Sequence, residues 1–422
     1  MKRIIVSIVL LFTILLVGCD EKQEKDRKLD SIADHGIETV EKPKGVTMVT
    51  DVDKFVIVTD DQKYDINRDD SLTVRSEYSI AESENAYYFV EGYSLYFYDK
   101  ETEEYLIACN KPDCEHADEG EECNAYICTN DYNAIQYYDG YIYYVVRESN
   151  DFNLYRKSVE AGTTEKVLNI VNVEQRASGQ SNMQICWILH RGYIYYVGQF
   201  GSGITEDSYY LNYSNCLARI KLEADSKSEI LMALPAECMM INPHLVNIQA
   251  SGSYVYFVSP YYNEKVKDMV SDVYRYNTEA NHIERLDIGE VSWMNYIVSE
   301  NRVYYKRSDS SDRLYAYDVN TNTSKEFVRT EDGKDISSIL PYKGGIMATI
   351  QEDCCYGKDG NLENIIESIE NTNVDKCLYL GGDKEKVFFQ VDYTLEYAQE
   401  IGMYSSIAYY DMKTKEYVIL NK

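Results

Sequence analysis

The sequence predicts an all-β fold, and three observations support this class. Tyrosine occurs 42 times in 422 residues and proline only 6 times, and aromatic and β-branched residues favour strands. A motif of small or polar residues followed by alternating Tyr, Ile, Val and Phe recurs seven times. Successive copies lie about 41 to 61 residues apart, close to the length of a four-stranded propeller blade. We therefore predict a β-propeller of seven blades.

Each copy of the motif predicts one strand of a repeated unit. The copies stand at 85–89, 140–144, 192–196, 253–257, 301–305, 344–348 and 385–389. A second strand of the form Leu-Tyr-x-Tyr-Asp follows most of them, at 95–99, 154–157, 273–276, 314–318 and 407–411. Polar turns begin at Asp99, Asp318 and Asp411, where the carboxylate can accept a hydrogen bond from the backbone two residues on. Each unit is therefore a predicted antiparallel meander.

A single meander of this kind leaves an apolar face uncovered, so its neighbours must stack against it. Closing the stack into a ring leaves few free sheet edges, which favours a propeller over a sandwich. Six and eight blades are the alternatives. The sixth unit lacks the Leu-Tyr-x-Tyr strand, because residues 353–357 and a predicted short helix at 362–369 interrupt it. A strand-like run at 55–59 is a candidate for completing the last blade.

The N-terminus has the features of a bacterial lipoprotein signal peptide at residues 1–18. Lys2 and Arg3 precede an apolar run at 4–17, which is shorter than the roughly 20 residues of a membrane-spanning helix. Leu-Val-Gly-Cys at 16–19 matches a lipobox, in which the thiol of Cys19 accepts a diacylglycerol. Residues 19–45 form a predicted flexible tether, and residues 46–422 the propeller domain. This organisation predicts a lipid-anchored cell-surface protein on the outer leaflet of the cytoplasmic membrane.

The net charge restricts the class of partner. Removing residues 1–18, with Lys2 and Arg3, takes the formal charge from −29 to about −31. A strongly negative chain repels phosphate backbones, and we find no basic cluster that would offset the repulsion locally. The sequence therefore argues against nucleic acid as a partner.

One constellation of residues can carry metal chemistry, in a Cys/His-rich loop at 109–128. Cys109, Cys114, His116 and Cys123 have the spacing Cys-x4-Cys-x-His-x6-Cys, and four such soft ligands can surround a zinc ion tetrahedrally. The alternative is one or two disulfides among Cys109, Cys114, Cys123 and Cys128, because exported proteins mature in oxidising surroundings. In either case the loop is a staple, since a closed four-ligand site leaves no position for a substrate water.

The same cysteine motif carries a resemblance to a known family. Cys-Asn-Lys-Pro-Asp-Cys-x-His at 109–116 and Cys-Asn-Ala-Tyr at 123–126 follow a lipobox and precede Gly-Tyr-Ile-Tyr-Tyr strands. This combination resembles a family of clostridial lipoproteins, grouped with domains of unknown function that are similar to the β-propeller of low-density lipoprotein receptor-related proteins. The resemblance covers nearly the whole mature chain. It implies a surface-anchored propeller with no assigned reaction, although the Tyr-Trp-Thr-Asp repeats of the receptor propellers are missing.

Three functions are compatible with these features. The first is a binding module that recognises an extracellular peptide, glycan or protein through one face of the ring, and fold analogy favours it. The second is an extracellular carbohydrate-active enzyme, a glycosidase or lyase, which would need two carboxylates facing each other across a cleft. The third is a metal-binding lipoprotein built around the cysteine loop. We identify no catalytic residue and no site for an organic cofactor in the sequence.

Overall fold

The computed structural model describes residues 47–48, 73–75, 80–114, 116, 123–127, 134–148, 151–172, 186–204, 211–223, 226–233, 247–299, 301–330, 333–342, 345–350, 353–358, 361–364, 373–383 and 385–420. Contacts divide the chain into two units, Met1–Ser31 and Ile32–Lys422, and every described residue lies in the second. Its described part consists of strands and one short helix, which confirms the all-β class. Within this part, no helix has the length and apolarity needed to cross a membrane.

Most of the strands form seven antiparallel meanders of four. Two short strands, β1 (Thr47–Met48) and β2 (Thr73–Arg75), precede them. The first three meanders contain β3 (Ile80–Glu82), β4 (Ala86–Glu91), β5 (Ser94–Asp99) and β6 (Tyr105–Ile107); then β7 (Ile135–Tyr138), β8 (Tyr141–Glu148), β9 (Asp151–Ser158) and β10 (Thr164–Asn172); then β11 (Cys186–His190), β12 (Tyr193–Ile204), β13 (Leu211–Lys221) and β14 (Glu229–Ala233). We call the four strands of each meander A to D in chain order.

The remaining four meanders repeat this order. They contain β15 (Gln249–Ser251), β16 (Tyr254–Asn263), β17 (Asp268–Asn277) and β18 (His282–Arg285); β19 (Val291–Ser299), β20 (Arg302–Arg307), β21 (Arg313–Asp318) and β22 (Thr323–Arg329); β23 (Ile336–Tyr342), β24 (Gly345–Ile350), β25 (Asp353–Lys358) and β26 (Asn361–Asn364); and β27 (Val374–Gly382), β28 (Lys386–Tyr393), β29 (Ser405–Asp411) and β30 (Tyr417–Leu420). The helix, α1 (Leu395–Ile401), lies between β28 and β29.

The two N-terminal strands extend sheets in the middle of the chain. β1 pairs in parallel with β14 of the third meander, and β2 pairs antiparallel with β15 of the fourth. The seventh meander takes all four of its strands from 374–420. The run at 55–59 that the sequence offered for the last blade lies outside the described residues.

Every copy of the predicted motif forms the second strand of its meander, strand B. A strand that the motif search did not find, strand A, precedes each copy. The predicted Leu-Tyr-x-Tyr strands are strand C. The sixth unit differs from its prediction. Residues 353–358 form its strand C and residues 361–364 form its strand D, where we had predicted an interruption and the start of a helix. Pairing with β24 supplies the strand backbone with hydrogen bonds that the local pattern did not reveal. Residues 365–369 lie outside the described part.

The Asp-initiated turns between strands C and D are confirmed. Asp99 Oδ1 accepts hydrogen bonds from the backbone N–H groups of Glu101 and Thr102, each 2.8 Å long. The carboxylates of Asp318 and Asp411 each accept bonds of the same pattern, from the residues two and three positions on. These bonds favour the ionised form, so they lower the pKa of all three carboxyl groups.

Buried apolar clusters fill the seams between meanders. In the described part of the chain there are seven such clusters, and each draws its residues from two meanders. Six clusters join meanders that follow each other in sequence. The remaining one joins the seventh meander to the first. Each meander therefore buries apolar residues on both of its faces, including the fourth and fifth, which the pairing of β17 with β19 joins into one sheet.

A repeated set of polar and aromatic residues supports the second, third and fourth meanders. In each, an arginine on strand C stands opposite a tyrosine on strand B and a glutamate on strand D, and the arginine pairs with that glutamate. The sets are Tyr143–Arg156–Glu165, Tyr195–Arg219–Glu229 and Tyr256–Arg275–Glu284. Each guanidinium also lies over a second tyrosine ring, at 4.3, 4.8 and 4.7 Å from the ring centroid.

Two of these arginines also reach the next meander. Arg219 donates a 2.8 Å hydrogen bond to the hydroxyl of Tyr276. Arg275 donates to Asn322 Oδ1 of the fifth meander. Burial alone would lower the pKa of Arg219, but Tyr276, Tyr195 and Glu229 raise it above its ordinary range. The charged guanidinium is therefore a fixed link across the seam.

The seam between the seventh and first meanders is aromatic. The ring of Phe388 is fully buried. Its centroid lies 4.7 Å from that of Tyr87, 5.2 Å from Phe89 and 5.5 Å from Tyr98. Offset and edge contacts of this kind add to the stabilisation that comes from burying the rings.

Polar contacts cross the same seam. The hydroxyl of Tyr87 donates a hydrogen bond to Asp383 Oδ2, and Lys386 Nζ lies 2.7 Å from Glu103 Oε1. Burial alone would raise the pKa of Asp383, but the hydrogen bonds from Tyr87 and from the N–H groups of Lys386 and Glu385, together with Lys100, lower it below its ordinary value.

We expect Phe388→Ala to lower the free energy of unfolding by roughly 3–5 kcal/mol, because it leaves a cavity among the rings of two meanders. Urea denaturation followed by circular dichroism measures the change. Leu395→Ala is the matched control, since that side chain is 65% exposed and surface changes alter stability within about 0.5 kcal/mol. Equal stability of the two variants would contradict the role of Phe388 in the seam.

We expect the Tyr87–Asp383 contact to make stability fall on acidification. A carboxyl group with a depressed pKa stabilises the fold above its unfolded pKa, near 3.8, and this contribution is lost as the pH falls through the lower folded pKa. Unfolding free energies measured between pH 6 and pH 2 should therefore drop less steeply in Asp383→Asn than in the parent chain. Tyr87→Phe removes the donor and should also flatten the profile. Three superimposable profiles would refute this assignment.

Candidate metal centre

The metal-ligand candidates lie on the connection between the first and second meanders. The chain leaves β6 with a hydrogen bond from Cys109 N–H to the carbonyl of Ile107, 2.8 Å long. A turn over 111–114 follows, in which Cys114 N–H donates to the carbonyl of Lys111. Pro112 suits such a turn because its ring fixes φ. This local geometry returns Cys114 to the side of Cys109.

The second half of the connection is fixed by backbone pairing with the first meander. Leu95 N–H donates to the carbonyl of Ala125, and Ile127 N–H donates to the carbonyl of Tyr93, both at 2.8 Å. The side chains of Ala125 and Ile127 are fully buried, and Ile127 belongs to the cluster between the first two meanders. Cys123 is thereby held beside the earlier ligands although it is nine residues further along the chain than Cys114.

The connection also packs on the C–D turn of the second meander. Asn110 Nδ2 donates to the carbonyl of Glu160, 3.0 Å away, and Asn110 accepts a hydrogen bond from Asn124. A Cβ atom added to Gly162 would lie 2.9 Å from Asn124 Cβ. This close approach requires glycine at that turn, which has φ of +68°. The loop therefore touches both meanders.

The structure brings all four predicted ligands together. One ligand atom from each of Cys109, Cys114, His116 and Cys123 lies within 4.8 Å of the others. Cys123 Sγ and His116 Nδ1 are 3.8 Å apart. The ligand atoms of a tetrahedral zinc site lie roughly 3.4–3.8 Å apart, given Zn–S near 2.3 Å and Zn–N near 2.0 Å. The cluster can hold a metal ion after small side-chain movements.

The thiols of Cys109 and Cys123 differ in their tendency to ionise. Burial opposes ionisation of Cys109, but hydrogen bonds from the backbone N–H groups of Lys111 and Asn124 and from neighbouring thiols outweigh it, so its pKa lies below the ordinary value. Burial raises the pKa of the Cys123 thiol, and the adjacent thiols raise it further. Cys109 is therefore the more easily ionised of these two thiols, and the deprotonated form is the one that binds metals.

One residue near the cluster was missed by sequence reasoning. Lys157 on β9 is buried, and its ammonium group donates to the carbonyl of Gly162 and to Thr164 Oγ1 at 3.3 and 3.1 Å. Burial lowers the pKa of Lys157, while negative charge at Cys123 and Cys109 acts in the opposite direction. A lysine on a predicted strand carries no sequence signal that would connect it to a loop 34 residues earlier.

The remaining cysteines stand apart from the candidate centre. Cys186, Cys216 and Cys355 are buried in the seams, and Cys377 is half-buried on β27. The three cysteines of the cluster, Cys109, Cys114 and Cys123, are free thiols in the structure. Cys128, the fourth residue of the disulfide alternative, and Cys19, the predicted lipidation site, lie outside the described residues.

Comparisons with known proteins find structural likeness only. No family model and no curated protein matches the sequence. The fold is similar to an acylaminoacyl peptidase of Pyrococcus horikoshii, with 13% identity and a TM-score of 0.47 over 85% of this chain and 54% of that one. The chain thus spans about half of that peptidase's length. It is also similar to the β-propeller domain of the Trilobed protease from Pyrococcus furiosus, described as having an open velcro topology, with 12% identity and a TM-score of 0.46 over 83% and 99%.

A third similar structure is an uncharacterised protein of Listeria monocytogenes EGD-e, with 10% identity and a TM-score of 0.37 over 67% of this chain and 80% of that one. At these identities and scores, the likenesses assign no activity to the chain.

We expect the purified chain, prepared without chelator, to contain one equivalent of zinc and to lose it in Cys114→Ser and His116→Ala. Each substitution removes one of four ligands, and the remaining three leave the site open. Mass spectrometry of bound metal together with a thiol titration in denaturant measures both quantities.

Cys377→Ser is the matched control for this experiment, because that thiol is outside the cluster, and it should keep its zinc. A metal-free parent chain with few titratable thiols would instead identify the loop as a disulfide staple.

Proposed function

We propose that the protein is a surface-anchored binding module built on a closed seven-bladed β-propeller and stabilised by zinc. The observation that carries the binding role is the position of its exposed apolar side chains. Of the eight large apolar residues that are exposed in the described chain, five lie on connections between strands B and C, and a sixth, Tyr262, lies at the end of a strand B beside such a connection. They are Tyr93, Tyr262, Val266, Leu395, Ile401 and Tyr404.

In every meander, strands A to D run antiparallel to one another in chain order. The B–C connections therefore lie at the opposite end of the strands from the C–D turns. Three of the C–D turns, at the opposite end, are short and capped by the carboxylates of Asp99, Asp318 and Asp411. Exposed apolar residues concentrated on one side of a protein indicate an interaction surface. The end that carries the B–C connections is therefore the proposed binding face.

The cyclic order of the seam clusters supports a closed ring of seven blades. The cluster that contains Phe388 joins the last meander to the first. The strands A of these two meanders approach each other closely, since a Cβ atom on Gly381 of β27 would lie 3.1 Å from Ile80 Cγ2 of β3. Each meander then occupies the place of one blade.

The position of the cysteine loop supports a structural role for zinc. The loop pairs with Tyr93–Leu95 of the first meander and contacts Glu160 and Gly162 of the second. An ion bound by Cys109, Cys114, His116 and Cys123 would fasten the loop across this seam. The soft ligand set of three thiols and one imidazole suits zinc.

The lipobox at residues 16–19 supports an anchor at Cys19, on the outer leaflet of the cytoplasmic membrane. The resemblance of the cysteine motif to clostridial lipoproteins supports the same location. We infer that the partner is extracellular, and that it is a peptide, glycan or protein. The negative charge of the chain argues against nucleic acid.

Photo-crosslinking on intact cells tests the proposed binding face. A photoreactive amino acid at Tyr93 or Tyr262 should give the same crosslinked species, because Tyr93 lies on a B–C connection and Tyr262 at the end of a strand B that leads into one. The matched controls are Thr102 and Thr414, which are equally exposed but lie in C–D turns, and these should give no such species.

Crosslinks from the C–D positions alone, or from neither end, would contradict the proposal. Cys19→Ser serves as the anchor control and should move the chain from the membrane fraction into the medium.

A further inference from the structure

The helix α1 is an apolar insertion in the B–C connection of the seventh meander. Its first turn closes with a hydrogen bond from Ala398 N–H to the carbonyl of Thr394, 2.8 Å long. The helix ends at Gly402, whose φ of 74° is left-handed. Glycine adopts this conformation without strain. Tyr393 N–H donates to the carbonyl of Tyr404 at 2.9 Å and closes the base of the insertion. The insertion is therefore a fixed feature of the blade.

The outer side of this insertion presents large apolar side chains. Leu395 is 65% exposed and Tyr404 is 66% exposed, and Ile401 is also exposed. The helix buries only Ala398. A seven-residue helix gains little stability by itself. The exposed side chains of Leu395 and Ile401 bury little apolar area in the chain and so contribute little to its stability. These side chains are available to a partner.

The charge around the insertion has a single sign. Residues 387–412 contain no Lys, Arg or His, and α1 carries Glu396 and Glu400, both exposed. Lys376 stands opposite Asp392 on the neighbouring strand, which leaves the two helix glutamates as the unbalanced charges. In the described part of the chain, no ion pair involves Glu396 or Glu400.

We propose that α1 and Tyr404 form a docking surface for a cationic, apolar peptide segment of a partner protein. On binding, Leu395, Ile401 and Tyr404 would bury their exposed apolar area against the partner. Lys or Arg side chains of the partner would pair with Glu396 and Glu400. Complementary charge accelerates association and excludes acidic partners. A membrane carrying anionic headgroups is disfavoured for the same reason. This inference rests on the proposed role as a binding module, and it specifies one surface and one partner chemistry.

The test uses a fluorescent 14-residue helical peptide of Leu and Lys, titrated with the purified chain in fluorescence anisotropy. The double variant Leu395→Ser/Tyr404→Ser should bind at least tenfold more weakly, because it removes the two most exposed apolar contacts. The charge-reversal variant Glu396→Lys/Glu400→Lys should also bind at least tenfold more weakly. Leu106→Ser, an exposed apolar side chain on β6 and not on a B–C connection, is the matched control and should bind like the parent.

Several outcomes would overturn the inference. Equal affinity of all variants would place binding elsewhere, and equal affinity for a peptide with Glu in place of Lys would refute the cationic partner. Cosedimentation with phosphatidylglycerol vesicles that depends on Leu395, without peptide binding, would identify a membrane surface instead. Crosslinks retained at Tyr93 and Tyr262 would then show that the binding module stands and only the surface at α1 fails. Loss of both results would remove the proposed function as well.

Discussion

Every sheet of this protein has two apolar faces, and the rest of the structure depends on covering both of them. A four-stranded meander with Tyr, Ile, Val and Phe alternating along its strands cannot be stable alone, because much of that surface would stay in water. Each meander therefore packs between two others, through clusters such as the one around Leu217 and Val255. The same requirement brings the last meander to the first, where Phe388 fills the seam.

The seams use different chemistry to meet the same requirement. Arg219 and Arg275 extend across two of them, since a guanidinium can lie over a tyrosine ring and donate several hydrogen bonds at once. The seam between the seventh and first meanders relies on aromatic rings with a buried carboxylate at Asp383. The seam between the first and second meanders is covered by the cysteine loop, which buries Ala125 and Ile127. A metal ion there would stabilise a loop that packs on the seam through only a few buried side chains.

The two ends of the strands differ in the large apolar side chains that they expose. At one end, three of the C–D turns are fixed by the carboxylates of Asp99, Asp318 and Asp411. The B–C connections at the other end tolerate insertions because they lie outside the seams. The turn at Tyr93, the hairpin around Tyr262 and the helix α1 all expose apolar side chains there. Under the proposed function, stability and recognition depend on different parts of the same repeat.

The sequence by itself determined the features that depend on local chemistry. Alternating strands B and C follow from side chains pointing to opposite faces of a strand, and the turn at Asp318 follows from its carboxylate bonding nearby N–H groups. The spacing of Cys109, Cys114, His116 and Cys123 indicated the candidate centre, since few residue types bind zinc. Tertiary structure decided the rest. Strands such as the short β3, and β25, which lacks the Leu-Tyr-x-Tyr pattern, form because a neighbour supplies their hydrogen bonds. Cys123 reaches its partners only because the chain pairs with Tyr93–Leu95, a contact between segments that no local pattern encodes.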